Sequence, residues 1–266
     1  MWRSLVLMAA FGLISLDPAR ADLVEVDLEL ALMVDASRSM TERELEIQRR
    51  GYAEALRSPQ VLRAVQSGLL QRVAMSYIEW SGTQRVVVDW TLIETAEDLD
   101  AFASKLDWWF DPALRRTSIS EALLFGASQI ETNDFDGLRQ VIDISGDGPN
   151  NQGRGVETAR NSVVAKGIVI NGLPLMTDEG LGRAWHLDGL DIYYRTCVIG
   201  GPGAFVIPVL DWGDFADAVR RKLVLEMVGL TPAAAAIPVQ ALARDPSDCR
   251  IGEKIWEERR RYWDEP

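Results

Sequence analysis

The stretch Leu30-Ala31-Leu32-Met33-Val34-Asp35-Ala36-Ser37-Arg38-Ser39 decides the fold of this chain, because it joins a buried strand to a loop rich in oxygen atoms. Its first five residues form an uninterrupted apolar run, which is typical of a buried strand. Asp35, Ser37 and Ser39 then present small oxygen-bearing side chains at alternate positions. These three side chains could supply about half of the ligands of a hard metal ion, since Mg²⁺ takes about six oxygen ligands at roughly 2.0–2.1 Å.

Two later stretches supply further oxygen atoms. A second apolar run, Val141 to Ile144, reaches Ser145-Gly146-Asp147-Gly148 and so places another acid at a strand end. Arg116-Thr117-Ser118 lies between the two strands and opens a helical pattern. Ligands of an open parallel α/β sheet bind beyond the carboxyl ends of the strands, where the strand order reverses. We therefore expect the three stretches to face one pocket, with Thr117 closing it.

From Asp27 onward, apolar runs rich in β-branched residues alternate with segments of helical period. This alternation predicts a three-layer α/β fold, in which helices cover both faces of a mostly parallel, six-stranded sheet. The predicted strands are Leu28–Val34, Val73–Glu79, Arg85–Thr91, Gln140–Ser145, Ile168–Leu173 and Ala204–Val209. Only Ser81-Gly82-Thr83-Gln84 joins the second strand to the third, so we expect these two to be antiparallel at one edge.

Helical segments fill the gaps between these strands. Thr41 and Glu44 have the spacing of a capping box and predict a helix to about Arg57, where Ser58-Pro59 ends it. Apolar residues three and four positions apart predict further helices. These are Leu99–Leu106, Ile119–Gly126, Val156–Val164 and a last long helix from Phe215 that stops at Gly229.

The chain has 266 residues and 47% hydrophobic content, enough for one large domain. Residues 1–21 have the order of a cleaved signal peptide, with an apolar stretch too short to span a bilayer. We expect 22–229 to form the domain, and 230–266 to form a linker and tail with at most one short amphipathic helix. The protein is therefore predicted to be periplasmic or secreted, without a membrane span after signal cleavage.

The net charge indicates which classes of partner are disfavoured, and the cysteine content bears on the cellular compartment. The formal net charge is −12, which argues against nucleic acid as a partner because phosphate backbones bind clustered Lys and Arg. Cys197 and Cys249 are the two cysteines of the chain. In an oxidising compartment one disulfide between them is the economical assignment, and it would tie the tail to the domain. Two free, buried thiols are the alternative.

The oxygen-bearing residues resemble the metal-ion-dependent adhesion site of the von Willebrand factor type A (VWA) family. The match consists of Asp-x-Ser-x-Ser at Asp35, Ser37 and Ser39, the loop threonine Thr117 and the late aspartate Asp147, in the family's order along the chain. The resemblance implies that the hydroxyls coordinate a metal directly and that the aspartates do so directly or through water. The alternative for the first three residues is a helix cap and turn without any metal.

The resemblance covers about Leu28 to Gly229 and implies a Rossmann-like VWA fold. Ser145-Gly146-Asp147-Gly148 departs from the Thr-Asp-Gly ending of many relatives, because the aspartate matches but its neighbour does not. The stretch from Cys197 to Phe205 is similar to one in an exported bacterial branch with no assigned function. The resemblance therefore predicts where a metal site lies, but it does not indicate which partner the site binds.

The donor set favours Mg²⁺, with Mn²⁺ or Ca²⁺ as alternatives. Neutral hydroxyls leave the charge of the ion only partly balanced, so it can accept an Asp or Glu carboxylate from a protein partner. We therefore expect an adhesion-type binding module and no enzyme activity, since no convincing nucleophile–base pair is evident. Arg38, Arg116 and Trp109 are candidates for a partner-binding rim. Solvated charge and core packing are the alternatives for these residues.

Other functions remain open from the sequence. A phosphatase of the haloacid-dehalogenase type would use Asp35 as nucleophile, but it needs an acid two residues later, where Ser37 stands. A purely structural domain with a degenerate site is a further alternative. A Ser/His/Asp hydrolase is disfavoured because the lone His186 lies outside every motif. Asp143, inside the fourth strand, is expected to be a structural acid rather than a ligand.

Overall fold

The computed structural model describes residues 23–106, 116–177, 187–230 and 248–264. Strands in these ranges are β1 (Val24–Val26), β2 (Leu28–Asp35), β3 (Val73–Trp80), β4 (Gln84–Ile93), β5 (Phe135–Gly137), β6 (Gln140–Gly146) and β7 (Val169–Pro174). The main sheet has the order β4-β3-β2-β6-β7 and is parallel except for β4 at its edge. A separate parallel pair is formed by β1 and β5. The predicted mixed α/β fold with an antiparallel edge strand is confirmed.

The helices of the described ranges are α1 (Glu42–Leu56), α2 (Pro59–Val65), α3 (Ala96–Ser104), α4 (Ile119–Glu131), α5 (Val156–Val164), α6 (Leu190–Tyr193), α7 (Phe215–Val228) and α8 (Ile251–Asp264). A π-helical turn at Tyr194–Val198 continues α6, and a 3₁₀ turn at Trp212–Asp214 precedes α7. The predicted capping box opens α1, since Thr41 N donates to Glu44 Oε2 at 2.7 Å and Glu44 N donates to Thr41 Oγ1 at 3.3 Å.

Two apolar clusters lie on opposite faces of the sheet. Side chains alternate along β2, so Leu30 and Leu32 join one cluster while Ala31 and Met33 join the other. Residues of α1, α2, α3 and α7 complete the first cluster, and residues of α4, α5 and α6 complete the second. Because β2 is buried along its whole length, its end is held rigidly where the predicted metal ligands begin.

The sixth predicted strand, Ala204–Val209, is not a regular strand. It runs beside β7 and makes isolated parallel bridges, with Gly172 N donating to Phe205 O and Val209 N donating to Pro174 O, both at 3.0 Å. Pro174 has no N–H to donate between these two bonds, so the ladder is interrupted. Among the residues that the structure describes, the main sheet therefore has five strands rather than the six predicted.

A buried ionic cluster joins β6 to α7. Lys222 Nζ lies 2.8 Å from Asp143 Oδ1 and 2.6 Å from Glu226 Oε1, and Asn171 Nδ2 donates to Glu226 Oε1 at 2.9 Å. Two carboxylates thus share one ammonium group. Burial and the charge of Asp143 together raise the pKa of Glu226 to about 7, although Lys222 opposes the shift. Asp143 is thus part of a structural cluster.

The structure pairs Cys197, in the π-helical turn, with Cys249, which lies two residues before α8. The disulfide thus ties the start of α8 to the second apolar cluster. The predicted signal peptide, most of the predicted linker, Trp109 and His186 lie outside the described residues. In the part of the chain that the structure describes, no helix has the length and apolar character needed to cross a membrane.

Candidate metal centre

Asp35 ends β2 and is fully buried. Its Oδ1 accepts a hydrogen bond from Ser37 N at 2.7 Å, and its Oδ2 accepts a longer one from Asp147 N at 3.4 Å. From α1, Gln48 Nε2 donates to the main-chain oxygen of Asp35 at 3.0 Å. The first two bonds hold the carboxylate in one orientation at the carboxyl edge of the sheet, and the third fixes the backbone of Asp35.

A chain of oxygen contacts leads from the first loop to the second. Ser37 Oγ lies 2.9 Å from Ser39 Oγ, and Ser39 Oγ donates to Asp147 Oδ1 at 2.7 Å. The two loops follow β2 and β6, which are neighbours in the sheet. The expectation that strand ends separated in sequence meet at one pocket is therefore met for Asp35 and Asp147.

Thr117 reaches the same place from the loop before α4. Its N–H donates to Asn151 Oδ1 at 3.1 Å, and Asn151 N donates to Thr117 O at 2.9 Å, so the two loops hold each other in register. Thr117 lines a cavity of about 10 Å³, roughly the space of one water-sized particle. The other lining residues are Ser39, Asp147, Gly148, Pro149, Asn151, Gly252 and Ile255.

The structure thus brings the five predicted residues to one edge of the sheet. Within the described ranges, no group of three His, Cys, Asp or Glu side chains is placed to hold a metal. The donor set at this edge is instead two carboxylates and three hydroxyls, which suits a hard cation such as Mg²⁺ better than a metal that prefers thiolates. Coordination of a metal by these side chains stays a prediction.

The two carboxyl groups of the site lie in an environment that penalises negative charge. Burial raises the pKa of Asp35 well above its usual value, and the charge of Asp147 raises it further. Enclosure raises the pKa of Asp147 to about 6, although the hydrogen bond from Ser39 opposes the shift. A divalent cation would favour the ionised form of both groups, so the electrostatics fit the predicted ligand set.

Gly146 explains why the chain departs from the Thr-Asp-Gly ending. A Cβ atom at this position would stand 2.8 Å from the Tyr194 hydroxyl, 2.9 Å from Asp35 Oδ2 and 3.0 Å from Trp80 Cζ2. Only glycine lets the loop approach these side chains so closely. Among the described residues, the buried Tyr194 hydroxyl has no hydrogen-bond partner, which leaves an unsatisfied polar group beside the predicted ligands.

The C-terminal helix α8 lies against the site, a position that the sequence did not predict. Its residues Gly252 and Ile255 line the small cavity together with the predicted ligands. Asn150 Nδ2, from the loop after β6, donates to Glu253 Oε1 at 2.8 Å. The sequence predicted at most one short amphipathic helix in the tail, and nothing in it indicated the surface that this helix contacts.

The candidate rim residues have different surroundings. The guanidinium carbon of Arg116 lies 3.5 Å from the centroid of the Trp256 ring of α8, so this arginine is engaged within the chain. Burial lowers the pKa of Arg116, and the charge of Arg260 lowers it further. Arg38 is exposed beside Ser37 and Ser39. Trp109 is not among the described residues.

Comparison with known proteins gives a family match over most of the chain. A family described as "Protein of unknown function (DUF1194)" matches residues 25–231. Among curated proteins no match was found.

Several solved structures share the fold. Proximal thread matrix protein 1 from the mussel byssus is 13% identical with a TM-score of 0.55, over 78% of this chain and 49% of its own. The pilus adhesin SpaC from Lactobacillus rhamnosus GG is 12% identical with a TM-score of 0.55, over 76% of this chain and 31% of its own.

A von Willebrand factor type A protein from Catenulispora acidiphila is 11% identical with a TM-score of 0.51, over 76% of this chain and 43% of its own. The present chain therefore spans less than half of each of these chains. At such low identity the likeness concerns the fold alone, and that fold is the VWA fold.

Proposed function

Because this chain belongs to the DUF1194 family of proteins of unknown function and has the VWA fold, its activity must be inferred from the site, and we propose an exported, metal-dependent protein-binding module. The module recognises an acidic side chain of a protein partner through a divalent cation. The observation that carries the proposal is the oxygen chain from Ser37 through Ser39 to Asp147, beside the buried Asp35.

The protein's own residues have distinct roles in this proposal. Asp35 and Asp147 bring negative charge, and the hydrogen bonds that they accept fix the direction of their oxygens. Ser37, Ser39 and Thr117 bring neutral oxygens, which bind a cation without cancelling its charge. When bound, the cation would supply an electrophilic position that accepts a carboxylate oxygen from outside. Mg²⁺ is the ion that we propose, with Mn²⁺ or Ca²⁺ as alternatives.

Relatives of the same fold lend support by analogy. One structure of the byssus protein, 14% identical to this chain with a TM-score of 0.51 over 78% of it and 49% of its own length, has a metal-ion-dependent adhesion site occupied by zinc. SpaC is a pilus adhesin. These properties belong to those proteins, and for this chain both metal binding and adhesion rest on the local geometry described above.

The proposed location is the periplasm or the exterior of the cell. Residues 1–21 have the order of a cleaved signal peptide. The disulfide between Cys197 and Cys249 is typical of proteins that mature in an oxidising compartment.

Calorimetric titration with Mg²⁺ tests the metal site directly. The protein without residues 1–21 is expected to bind one ion, and Asp35→Ala is expected to abolish this binding. Asp136→Ala is the matched control, since it also removes an aspartate but lies at an exposed position. Asp136 precedes β6, whereas the predicted ligand Asp147 follows that strand at the edge where the site lies. Equal Mg²⁺ affinity in the parent and in Asp35→Ala would contradict the proposal and favour a structural domain with a degenerate site.

Partner recognition needs a separate experiment. Proteins captured from a periplasmic extract by the immobilised domain are expected to elute when a chelator removes Mg²⁺. Capture that is equal with Mg²⁺ and with chelator would show that recognition does not depend on the metal. The phosphatase alternative gains no support, since Ser37 occupies the position of its general acid and its N–H bonds to Asp35.

A further inference from the structure

Helix α8 forms one wall of the cavity at the predicted metal site. The small cavity has one wall from the domain, with Ser39, Thr117 and Asp147, and another from α8, with Gly252 and Ile255. Its volume of about 10 Å³ admits roughly a water-sized particle. The carboxylate of a protein side chain, still attached to its own backbone, cannot enter a space of this size.

The backbone of α8 touches the loop after β6 at one point of very close approach. A Cβ atom on Gly252 would stand 2.0 Å from Asn150 O, 2.8 Å from Asn150 C and 3.1 Å from Pro149 Cγ. Real Cβ atoms do not come so close to a backbone carbonyl, so the observed position of α8 requires glycine at residue 252. This contact lies three residues from Asp147, and it sets the distance between the helix and the site.

Side-chain contacts also join α8 to the domain. Asn150 Nδ2 donates to Glu253 Oε1, and the Arg116 guanidinium stacks on Trp256. The outer face of α8 is charged and exposed, with Lys254, Glu257, Glu258, Arg260 and Arg261. Helices of the core such as α4 instead bury most of one apolar face. The docked surface of α8 is therefore partly polar.

The disulfide adds a covalent link to these contacts. Cys249 lies two residues before α8 and is bonded to Cys197, which is fully buried in the second apolar cluster. A covalent link at the start of the helix keeps the local concentration of α8 near the site high. The same link lets α8 undock and return without leaving the protein.

We propose that α8 is a disulfide-tethered cover of the metal site, and that a partner carboxylate reaches the cation only when the cover has moved aside. This inference rests on the proposed function, since it concerns access to that metal. It adds that the partner competes with α8, so partner affinity is lowered by the free energy of undocking the helix.

Release of Mn²⁺ to excess chelator tests the cover without knowledge of the partner. Gly252→Ala adds one methyl group at the point of close approach, outside the predicted ligand set. Because the helix must shift to accommodate it, the rate of Mn²⁺ release is expected to rise about tenfold or more. Gly155→Ala is the matched control, since its Cβ would meet only Thr158 Oγ1 at an ordinary 3.8 Å, and its release rate is expected to equal that of the parent.

Hydrogen exchange measured on the same samples reports the position of the helix. Amides of α8 are expected to exchange faster in Gly252→Ala, while those of β2 and β6 stay protected. Trp256→Ala, which removes the stacking on Arg116, is a second variant and is expected to accelerate Mn²⁺ release in the same direction.

The outcomes separate the cover from the metal site. Parent protein that binds no Mn²⁺ would overturn the proposed function, and the cover with it. Parent and Gly252→Ala that bind Mn²⁺ but release it at equal rates would overturn the cover alone. Unchanged exchange of α8 in Gly252→Ala would also overturn it, because the close approach to Asn150 would then not hold the helix.

Discussion

Ser39 Oγ donates a 2.7 Å hydrogen bond to Asp147 Oδ1, which joins two loops that are 108 residues apart in the sequence. The bond is possible because β2 and β6 lie side by side and parallel, so that their carboxyl ends share one edge of the sheet. The predicted metal site is therefore a consequence of strand order, and changes at either loop affect the other.

Ser39→Ala is expected to weaken Mg²⁺ binding about tenfold or more, because it removes a neutral oxygen and leaves Asp147 without its donor. The free energy of unfolding should change by only about 1 kcal/mol, since the side chain is half-buried. Calorimetry with Mg²⁺ and urea denaturation measure the two quantities. Ser128→Ala, at an exposed site on α4, is the control, and equal Mg²⁺ affinity in both variants would exclude Ser39 as a ligand.

Gly146→Ala is expected to lower the free energy of unfolding by about 1–3 kcal/mol, because the new methyl group must displace rigid neighbours. The nearest are the Tyr194 hydroxyl and Asp35 Oδ2, at 2.8 and 2.9 Å from the Cβ position. Mg²⁺ affinity should fall as well, since Asp35 moves. Urea midpoints of Gly146→Ala and Gly155→Ala provide the comparison; equal midpoints would mean that the loop has room that the structure does not show.

Because of Glu226, the free energy of unfolding is expected to fall as the pH rises. Its pKa is about 7 in the folded protein against 4.5 ordinarily, because burial and the charge of Asp143 raise it more than Lys222 lowers it. Between these values the folded state keeps a proton that the unfolded chain has lost. The contribution of Glu226 to the free energy of unfolding is therefore fully present below about pH 4.5. It is lost as the pH rises through about 7, and the loss amounts to up to about 3 kcal/mol.

Glu226→Gln keeps this side chain neutral at every pH and should remove that part of the fall. Urea midpoints at pH 5 and pH 8 measure the effect, with Glu46→Gln, at an exposed position of α1, as the control. An identical pH dependence in the parent and in Glu226→Gln would show that this carboxyl group does not change its proton binding on folding.

Replacement of Cys197 and Cys249 by serine is expected to lower the free energy of unfolding by about 2–4 kcal/mol, as for other disulfides that close long loops. The two residues are 52 positions apart. Because the lost bond tethers α8, hydrogen exchange should increase most in that helix. Exchange that increases equally in β2 and β6 would instead indicate that the disulfide supports the whole domain.

Much of the fold was predictable because its signals are local. The apolar run of β2, the capping box of Thr41 and Glu44 and the stop at Gly229 each depend on residues close together in the chain. The interrupted hydrogen-bond ladder between β7 and the segment 204–209 was not predicted, since it depends on which segment lies beside Pro174. The order of the oxygen-bearing residues also pointed to the site, but their meeting required the sheet.

The sequence by itself determined the alternation of strands and helices and the types of oxygen donor at the strand ends, because these follow from periodicity and residue chemistry. Only the tertiary structure decided that Gly146 leaves room for the Tyr194 hydroxyl beside Asp35. It alone also decided that Gly252 lets α8 pack closely against the backbone of Asn150. In both places a Cβ atom on the glycine would stand about 2–3 Å from atoms of a segment distant in sequence. No local pattern specifies such contacts, because they arise only when the segments pack together.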